Sequence, residues 1–295
     1  MLVRTANIDD MHRLMEYDRH ISSDEMKNLL NLGRVYVAEE DRTFVGWLRY
    51  NLFWDNTPFM NMLFVLDDYR GKWYGQKIVE HWEMQMKLAG YEVVLTSTAS
   101  DEYAQHFYNR LGYTAIGGFI LLNDPYEIIM SKTIKDMKCM MNVNQTAYEV
   151  TKLLGHGKGG YSYLAQKDNR QYVLKQIHHE PCSYYTFGNK IESEQQDYTR
   201  LAVTGIRIPK MLDIDISNER ILKEYVDGPT IYDLVKSDSM KDEYLTQVRE
   251  MADKLKAMGL NIDYFPTNFV VQEGLIYYID YECNSYMDEW NSGVY

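Results

Sequence analysis

Cysteine is scarce. The 295-residue chain holds three, Cys139, Cys182 and Cys283, far apart and with no Cys-x-x-Cys pair. That argues against a disulfide framework or a cysteine zinc site and fits a reducing, cytoplasmic compartment. Long apolar runs are lacking as well. The start, MLVRTANIDD, has no signal-peptide core. The longest strongly apolar run, FMNMLFVL, is too short to span a bilayer, so no membrane partner is expected. Basic clusters are also missing. The formal net charge is -12; residues 1–145 carry 15 basic and 20 acidic side chains, and 146–295 carry 16 and 23. With both halves acidic, non-specific nucleic-acid binding is disfavoured, because it needs clustered Lys and Arg. A cationic, amine-bearing substrate is compatible with that surface.

What is present suffices for two domains, at roughly 150 residues each. Hydrophobic residues make up 45% of the chain, enough for ordinary cores. Up to about residue 133 the pattern is mixed β/α. MLVRTA reads as a strand and IDDMHRLMEYDRHI as an amphipathic helix. RVYVAEE, TFVGWLRYNLFW and PFMNMLFVLD read as three strands, the first two parted by the turn EDRT. YGQKIVEHWEMQMKLAG is a helix with Ile78, Trp82 and Met86 on one face and Gly90 as its C-cap. The strand EVVLTSTA, the helix DEYAQHFYNRLG and the strands YTAIGGFILL and YEIIMSKTI follow. Residues 134–147 show no clear periodicity and read as a linker. Beyond it come strands at YEVTKLLG, YSYLAQ and QYVLKQI, a helix across NKIESEQQDYTRLAVTG and strands at MLDIDI and RILKEYV. The helix YLTQVREMADKLKAMG and the short strands FVVQ and IYYIDY close the pattern.

In the first half, FVLDDYRGKWYGQKIVEHW runs from a strand through a short polar loop into a helix N-terminus. Backbone N–H groups and the helix dipole there favour an anion such as a pyrophosphate; a plain β-to-α turn is the bland reading. The element order, with two motifs, resembles the GNAT family of acetyl-CoA-dependent N-acetyltransferases. The family loop, Arg/Gln-x-x-Gly-x-Gly/Ala, aligns with Arg70-Gly71-Lys72-Trp73-Tyr74-Gly75, preceded by Val65 on the strand. Arg70 and Gly75 match. Trp73 replaces the first motif glycine, and it can still present its N–H if its φ is negative. The second motif is DEYAQHFYNRLGY, where Ala104, Phe107, Tyr108, Gly112 and Tyr113 match and Asp101 replaces the usual Asn. The resemblance implies Val65 and residues 70–75 as the acetyl-CoA site and Tyr108 as the general acid for the leaving thiolate. Asn61 stands where family members often carry an acidic base; Asp55, Asp67 and Asp68 are nearby carboxylates of loop type, and no base is assigned.

In the second half, Gly155-His156-Gly157-Lys158-Gly159-Gly160 fits G-x-G-x-x-G. A dinucleotide-binding unit would need a helix next, yet the residues that follow are strand-like. A glycine hairpin over phosphates, as in protein kinases, fits better. This half resembles protein kinases and aminoglycoside phosphotransferases. By that resemblance Gly155, Gly157 and Gly160 cover the nucleotide phosphates, and Lys175 in YVLK pairs with them. Glu194, with Glu192 as second choice, pairs with Lys175. Glu224 and Val226 flank the adenine, Asp263 in NIDYFPTN is the catalytic base or the carboxylate that orients the acceptor, and Asn268 and Asp280 hold magnesium. Asn261 replaces the catalytic-loop histidine, and Tyr281-Glu282 replaces Phe-Gly after Asp280.

The expectation is therefore an α+β chain. It has a GNAT mixed β-sheet with flanking helices at 1–133, a linker at 134–147, and a kinase-like two-lobe domain with a truncated C-terminal lobe at 148–295. Acetyl-CoA, and ATP or GTP with magnesium, are the implied cofactors, and a small-molecule or protein amine is the acceptor. Three further readings stay open: a bifunctional aminoglycoside-modifying enzyme, an acetyltransferase whose second half is a non-catalytic nucleotide- or partner-binding module, and two binding modules without turnover. Oligomeric state is not legible.

Overall fold

The structure, a computed structural model, describes residues 1–122, 124–178 and 188–287; Cys182 lies outside them. It divides into two compact units, one built on Met1–Cys139 and the other on Met140–Ile177 with 188–287. Among the described residues no helix is long and apolar enough to cross a membrane.

The first unit opens with β1 (Leu2–Thr5), a 3-10 turn at Ile8–Asp10, α1 (Met11–Tyr17) and α2 (Ser23–Asn31). Three strands follow: β2 (Val35–Glu40), β3 (Thr43–Phe53) and β4 (Thr57–Val65). Asp41–Arg42 and Trp54–Asp55, all at positive φ, make the two tight hairpin turns between them. A 3-10 turn at Asp67–Tyr69 leads to α3 (Tyr74–Leu88), β5 (Val93–Ala99), α4 (Ala104–Arg110), β6 (Thr114–Phe119) and β7 (Glu127–Thr133). The sheet order is β1-β2-β3-β4-β5-β7-β6, antiparallel except between β4 and β5.

Residues 35–38 are buried on both faces, as expected for a strand covered on each side. Tyr36 and Ala38 face one core, with Ile78, Trp82 and Met86 of α3 and Tyr108 of α4. Val35 and Val37 face the other, with Leu14 of α1 and Met26 and Leu29 of α2. The first helix stops at Tyr17 because the next carboxylate, Asp18, turns inward to accept from Arg49 Nε at 2.7 Å. Pattern reading passed over α2. Its signal is a Ser22 cap, whose Oγ accepts from Glu25 N, ahead of the apolar spacing Met26, Leu29, Leu30.

The second unit begins earlier than the sequence pattern suggests. β8 (Cys139–Val143) occupies part of the segment read as a linker and forms an edge of a six-stranded sheet. Cys139, Met141 and Val143 are buried while Met140 and Asn142 are exposed, so a period of two is present. An exposed methionine hid it. Then come β9 (Thr146–Gly157), β10 (Gly160–Lys167), β11 (Arg170–Ile177), α5 (Lys190–Ala202), β12 (Met211–Asp215) and β13 (Arg220–Glu224). The sheet order is β12-β13-β11-β10-β9-β8.

After β13 lie α6 (Ile231–Lys236), α7 (Asp242–Ala257), β14 (Leu260–Ile262), a 3-10 turn at Pro266–Asn268, β15 (Phe269–Gln272), β16 (Leu275–Tyr278) and β17 (Cys283–Ser285). β15 pairs with β16, and β14 with β17. Leu201 of α5 and Leu255 of α7 pack with Ile262, Phe269, Ile276 and Tyr278 in one core. Phe269, which follows the turn at 266–268, and Tyr278, which ends β16, are both anchored in that core.

Candidate functional site

Each unit holds a place where the sequence-assigned residues gather. In the first it is a fork in the sheet. β4 and β5 pair at only two positions, Phe59 with Leu95 and Met60 with Thr96. Beyond that rung β4 stays paired with β3 as far as Val65, but its other edge has no strand partner among the described residues. The peptide groups along that edge can take an amide-bearing arm in the way a sheet takes an added strand.

Tyr108 stands at the fork. α4 carries its side chain inward, where it is 7% exposed and lies edge-on to Phe107 and Tyr113. Its hydroxyl meets the side chain of Thr96, whose Oγ1 donates to Met60 O at 3.1 Å. The last rung of the fork thus holds the phenol. Burial pushes its pKa up to about 12, with Thr96 opposing. Tyr108 therefore keeps its proton at neutral pH. Sequence reading did not single out Thr96. Its role arises from the pairing of residues 60 and 96, which has no local signal.

The loop after β4 turns twice through left-handed backbone, at Gly71 (φ 72°) and at Trp73 (φ 69°). The condition of a negative φ at Trp73 is not met; the turn into α3 demands the left-handed region, and tryptophan occupies it. Trp73 is 73% exposed, so packing does not hold it there. No side chain caps α3 and its first turn carries no acid, which leaves the N-terminal end open to an anion. Tyr74 packs edge-on against Tyr69, and Gly75 sits against Phe107 and Val65. Arg70 is folded back: Nε donates to Val65 O at 2.9 Å, Nη1 pairs with Asp67 at 2.9 Å, and the guanidinium covers the Phe64 ring. Lys72 Nζ donates to Asp68 O. Asp55, Asn61 and Asp68 are exposed.

In the second unit a cavity of about 950 Å³ collects the assigned residues. The β9–β10 hairpin roofs it, closed by the pair Gly157–Gly160. A Cβ on Gly160 would stand 2.4 Å from Gln176 O, so β11 admits only glycine there. Gly155 and Gly157 face open space. Lys175 of β11 is 8% exposed and bonds Glu194 Oε1 of α5. Glu192, the second choice, has its backbone N–H on the Asn189 cap and is exposed. Asp263 Oδ1 accepts from Phe265 N, and Asn268 Nδ2 donates to Asp263 O, so the turn is tied to itself. Asn268 O accepts from Ile279 N, which sets Asp280 beside it.

Burial would raise the Asp280 pKa, but Lys175 and Lys223 outweigh it and hold the carboxyl below the ordinary aspartate range. Among the described residues no cluster of three His, Cys, Asp or Glu could hold a metal alone. Glu224 Oε2 accepts from Lys210 N, and Val226 is buried at the cavity wall.

Two cavity residues escaped the sequence reading. Lys223 of β13 is buried, donates to Ile279 O at 3.2 Å and lies 4.2 Å over the Tyr281 ring. The only hint was a lysine directly after the apolar pair Ile221–Leu222 within a strand. Glu282, noted only as a departure, pairs with Lys158 at the hairpin tip. Tyr281 is buried and its hydroxyl donates to Pro209 O at 2.8 Å, so it fills a core position as a phenylalanine would.

Residues 31–115 match the family model of the acetyltransferase (GNAT) domain. The match lies within the first unit and supports an acyltransferase activity there. Among solved structures, a GNAT-family acetyltransferase from Bacillus cereus is 23% identical; the match covers 45% of this chain and 96% of that one, with a TM-score of 0.39. The PaiA N-acetyltransferase of Thermoplasma acidophilum, in complex with coenzyme A, is 17% identical over 45% and 98%, with a TM-score of 0.39. An aminoglycoside 6'-N-acetyltransferase complexed with coenzyme A is 19% identical over 45% and 97%, again at 0.39. No curated protein matches the chain.

Proposed function

We propose that the chain is an acetyl-CoA-dependent N-acetyltransferase of a primary amine, joined to a magnesium-nucleotide site of protein-kinase type. The observation that carries the first part is the fork at Met60 and Thr96 with the Tyr108 phenol held against it. Acetyl-CoA supplies the acetyl group as a thioester. The open β4 edge and the uncapped α3 end fit its amide arm and its pyrophosphate. Tyr108 holds a proton where a departing thiolate needs one. The acidic surface favours a cationic amine, and an aminoglycoside is one member of that class.

The second part is supported by Lys175 and Glu194 under a glycine hairpin, in one cavity with Asp263, Asn268 and Asp280. One carboxylate and one amide, Asp280 and Asn268, suit magnesium that arrives with phosphate oxygens. A second reading makes this unit a nucleotide-binding module without turnover. The self-tied Asp263 turn favours it, since Asp263 is already engaged through Phe265 N.

For the first part, the full chain is incubated with acetyl-CoA and a panel of amines that includes aminoglycosides, and free thiol is followed. Tyr108→Phe is expected to lower kcat about 100-fold with KM nearly unchanged. Unaltered turnover in that variant removes Tyr108 from the reaction. For the second part, calorimetric titration with magnesium and ATP or GTP is expected to show binding that Asp280→Asn abolishes. Asp263→Ala should keep binding and end phosphoryl transfer; the absence of any transfer by the parent chain selects the module reading.

A further inference from the structure

Lys158 differs from the other cations that line the second cavity. It sits at the tip of the β9–β10 hairpin, and its Nζ lies 2.8 Å from Glu282 Oε1, two residues past Asp280. Asp263 and Asp280 also face it. Its own carbonyl accepts from the buried Lys190 Nζ at 2.9 Å. The next residue, Gly159, lies over the buried ion pair: a Cβ there would stand 3.3 Å from Lys175 Nζ and 3.5 Å from Glu194 Oε1. The hairpin is drawn down onto that pair with Lys158 resting on a carboxylate.

The opposite wall is acidic. From Asp263 to Asn268 the chain runs Tyr264, Phe265, Pro266 and Thr267, with no basic residue. Asp263, Asp280 and Glu282 put three carboxylates into one cavity. Of the other lining cations, Arg200 is engaged by Asp197 and Cys283 O, Lys190 by Lys158 O, and Lys175 and Lys223 face Asp280, whereas Lys158 is the one paired with Glu282. Magnesium on Asn268 and Asp280 would screen Asp280, but the far end of a polyphosphate anchored at Lys175 would still face Asp263 and Glu282, and like charges repel unless a cation stands between them. Lys158 and Glu282 are 43% and 34% exposed, and exposed pairs of this kind change partners at little cost.

We propose that Lys158 is the hairpin's ligand for the terminal phosphate of a nucleoside triphosphate, with Glu282 holding it in reserve by competing with that phosphate. The proposal rests on the nucleotide reading of the second unit. It separates from a plain structural clasp by sign. If the Lys158–Glu282 pair only braces the hairpin, removing either partner weakens nucleotide binding. If Glu282 competes with phosphate, removing the two partners has opposite effects.

The test is calorimetry on the full chain with magnesium and ATP, GTP, ADP or GDP, each variant's melting temperature serving as a check on folding. Lys158→Met is expected to weaken triphosphate binding about tenfold and to leave diphosphate binding within about twofold. Glu282→Gln is expected to strengthen triphosphate binding about threefold. Lys158→Arg should retain the preference for triphosphate. Weakening by both Lys158→Met and Glu282→Gln, or equal loss of di- and triphosphate in Lys158→Met, overturns the role of Lys158 while leaving the nucleotide site in place. Failure of the parent chain to bind any of the four nucleotides overturns the nucleotide reading itself, and the proposal with it.

Discussion

The two units prepare their candidate sites by opposite means. In the first, the central group is a neutral phenol kept neutral by burial, and the loop into α3 carries a tryptophan where the backbone turns left-handed. In the second, the central groups are charges that hold one another, and the loop is a hairpin rich in glycine. The comparison teaches that glycines of one motif need not share a reason. Gly160 is required by the protein's own packing, because β11 leaves no room for a Cβ; Gly155 and Gly157 meet nothing within 4 Å. Only the latter two keep space open for a ligand.

The largest expected effect separates these reasons. Gly160→Ala forces a Cβ to 2.4 Å from a backbone oxygen, and β10 or β11 must shift. A loss of about 2–4 kcal/mol is expected by chemical denaturation. Gly157→Ala should stay within about 0.5 kcal/mol and act on nucleotide affinity instead. Equal losses in the two variants would break the distinction.

A smaller effect sets neutral against charged. The Tyr108 pKa lies above its unfolded value of about 10, so its contribution is complete below pH 10 and is lost as pH rises toward about 12. The loss is roughly 2–3 kcal/mol across that window, and Tyr108→Phe should flatten that share of it in pH-dependent denaturation. Asp280 behaves in the opposite sense. Its pKa lies below the unfolded value of about 3.9, so its contribution holds above that pH and fades as pH falls below it. Asp280→Asn should remove its share of the acid limb and leave the alkaline limb as it is. An alkaline limb unchanged by Tyr108→Phe would show that the phenol is not held as described.

How far the sequence carried differs between the units for the same physical reason. Strand and helix order in the first unit follows from period and turn residues, which are local. α2 and α6 also had local signals, in Ser22 with Glu25 and Thr230 with Asp233, that pattern reading did not use. β8 was masked by Met140, an apolar side chain on an exposed face. Thr96, Lys223 and Glu282 were beyond reach for a different reason. Thr96 matters through its register with Met60, Lys223 through its approach to Ile279 O, and Glu282 through a contact 124 residues away. Motifs name the residues that repeat among relatives; partners that a single fold brings to them across such distances leave no mark in spacing.

The smallest expected effect returns to the loop that departs from its motif. A non-glycine residue in the left-handed region costs about 1–2 kcal/mol, whereas glycine adopts it freely but loses more entropy on folding, by about 0.5–1 kcal/mol. Trp73 is exposed, so little burial is surrendered when it is removed. Trp73→Gly is therefore expected to stabilise the chain by about 0.5–1 kcal/mol, while Trp73→Ala, which keeps the Cβ and the strain, gains nothing. If the indole also narrows the approach to the open end of α3, Trp73→Gly and Trp73→Ala should both tighten coenzyme A in calorimetry, and by similar factors. Stabilisation by glycine with unchanged coenzyme A affinity would assign the tryptophan a backbone cost only. Weaker binding in both variants would mean that the exposed ring touches the ligand, and the loop's departure from glycine would then be a contact that the first site uses.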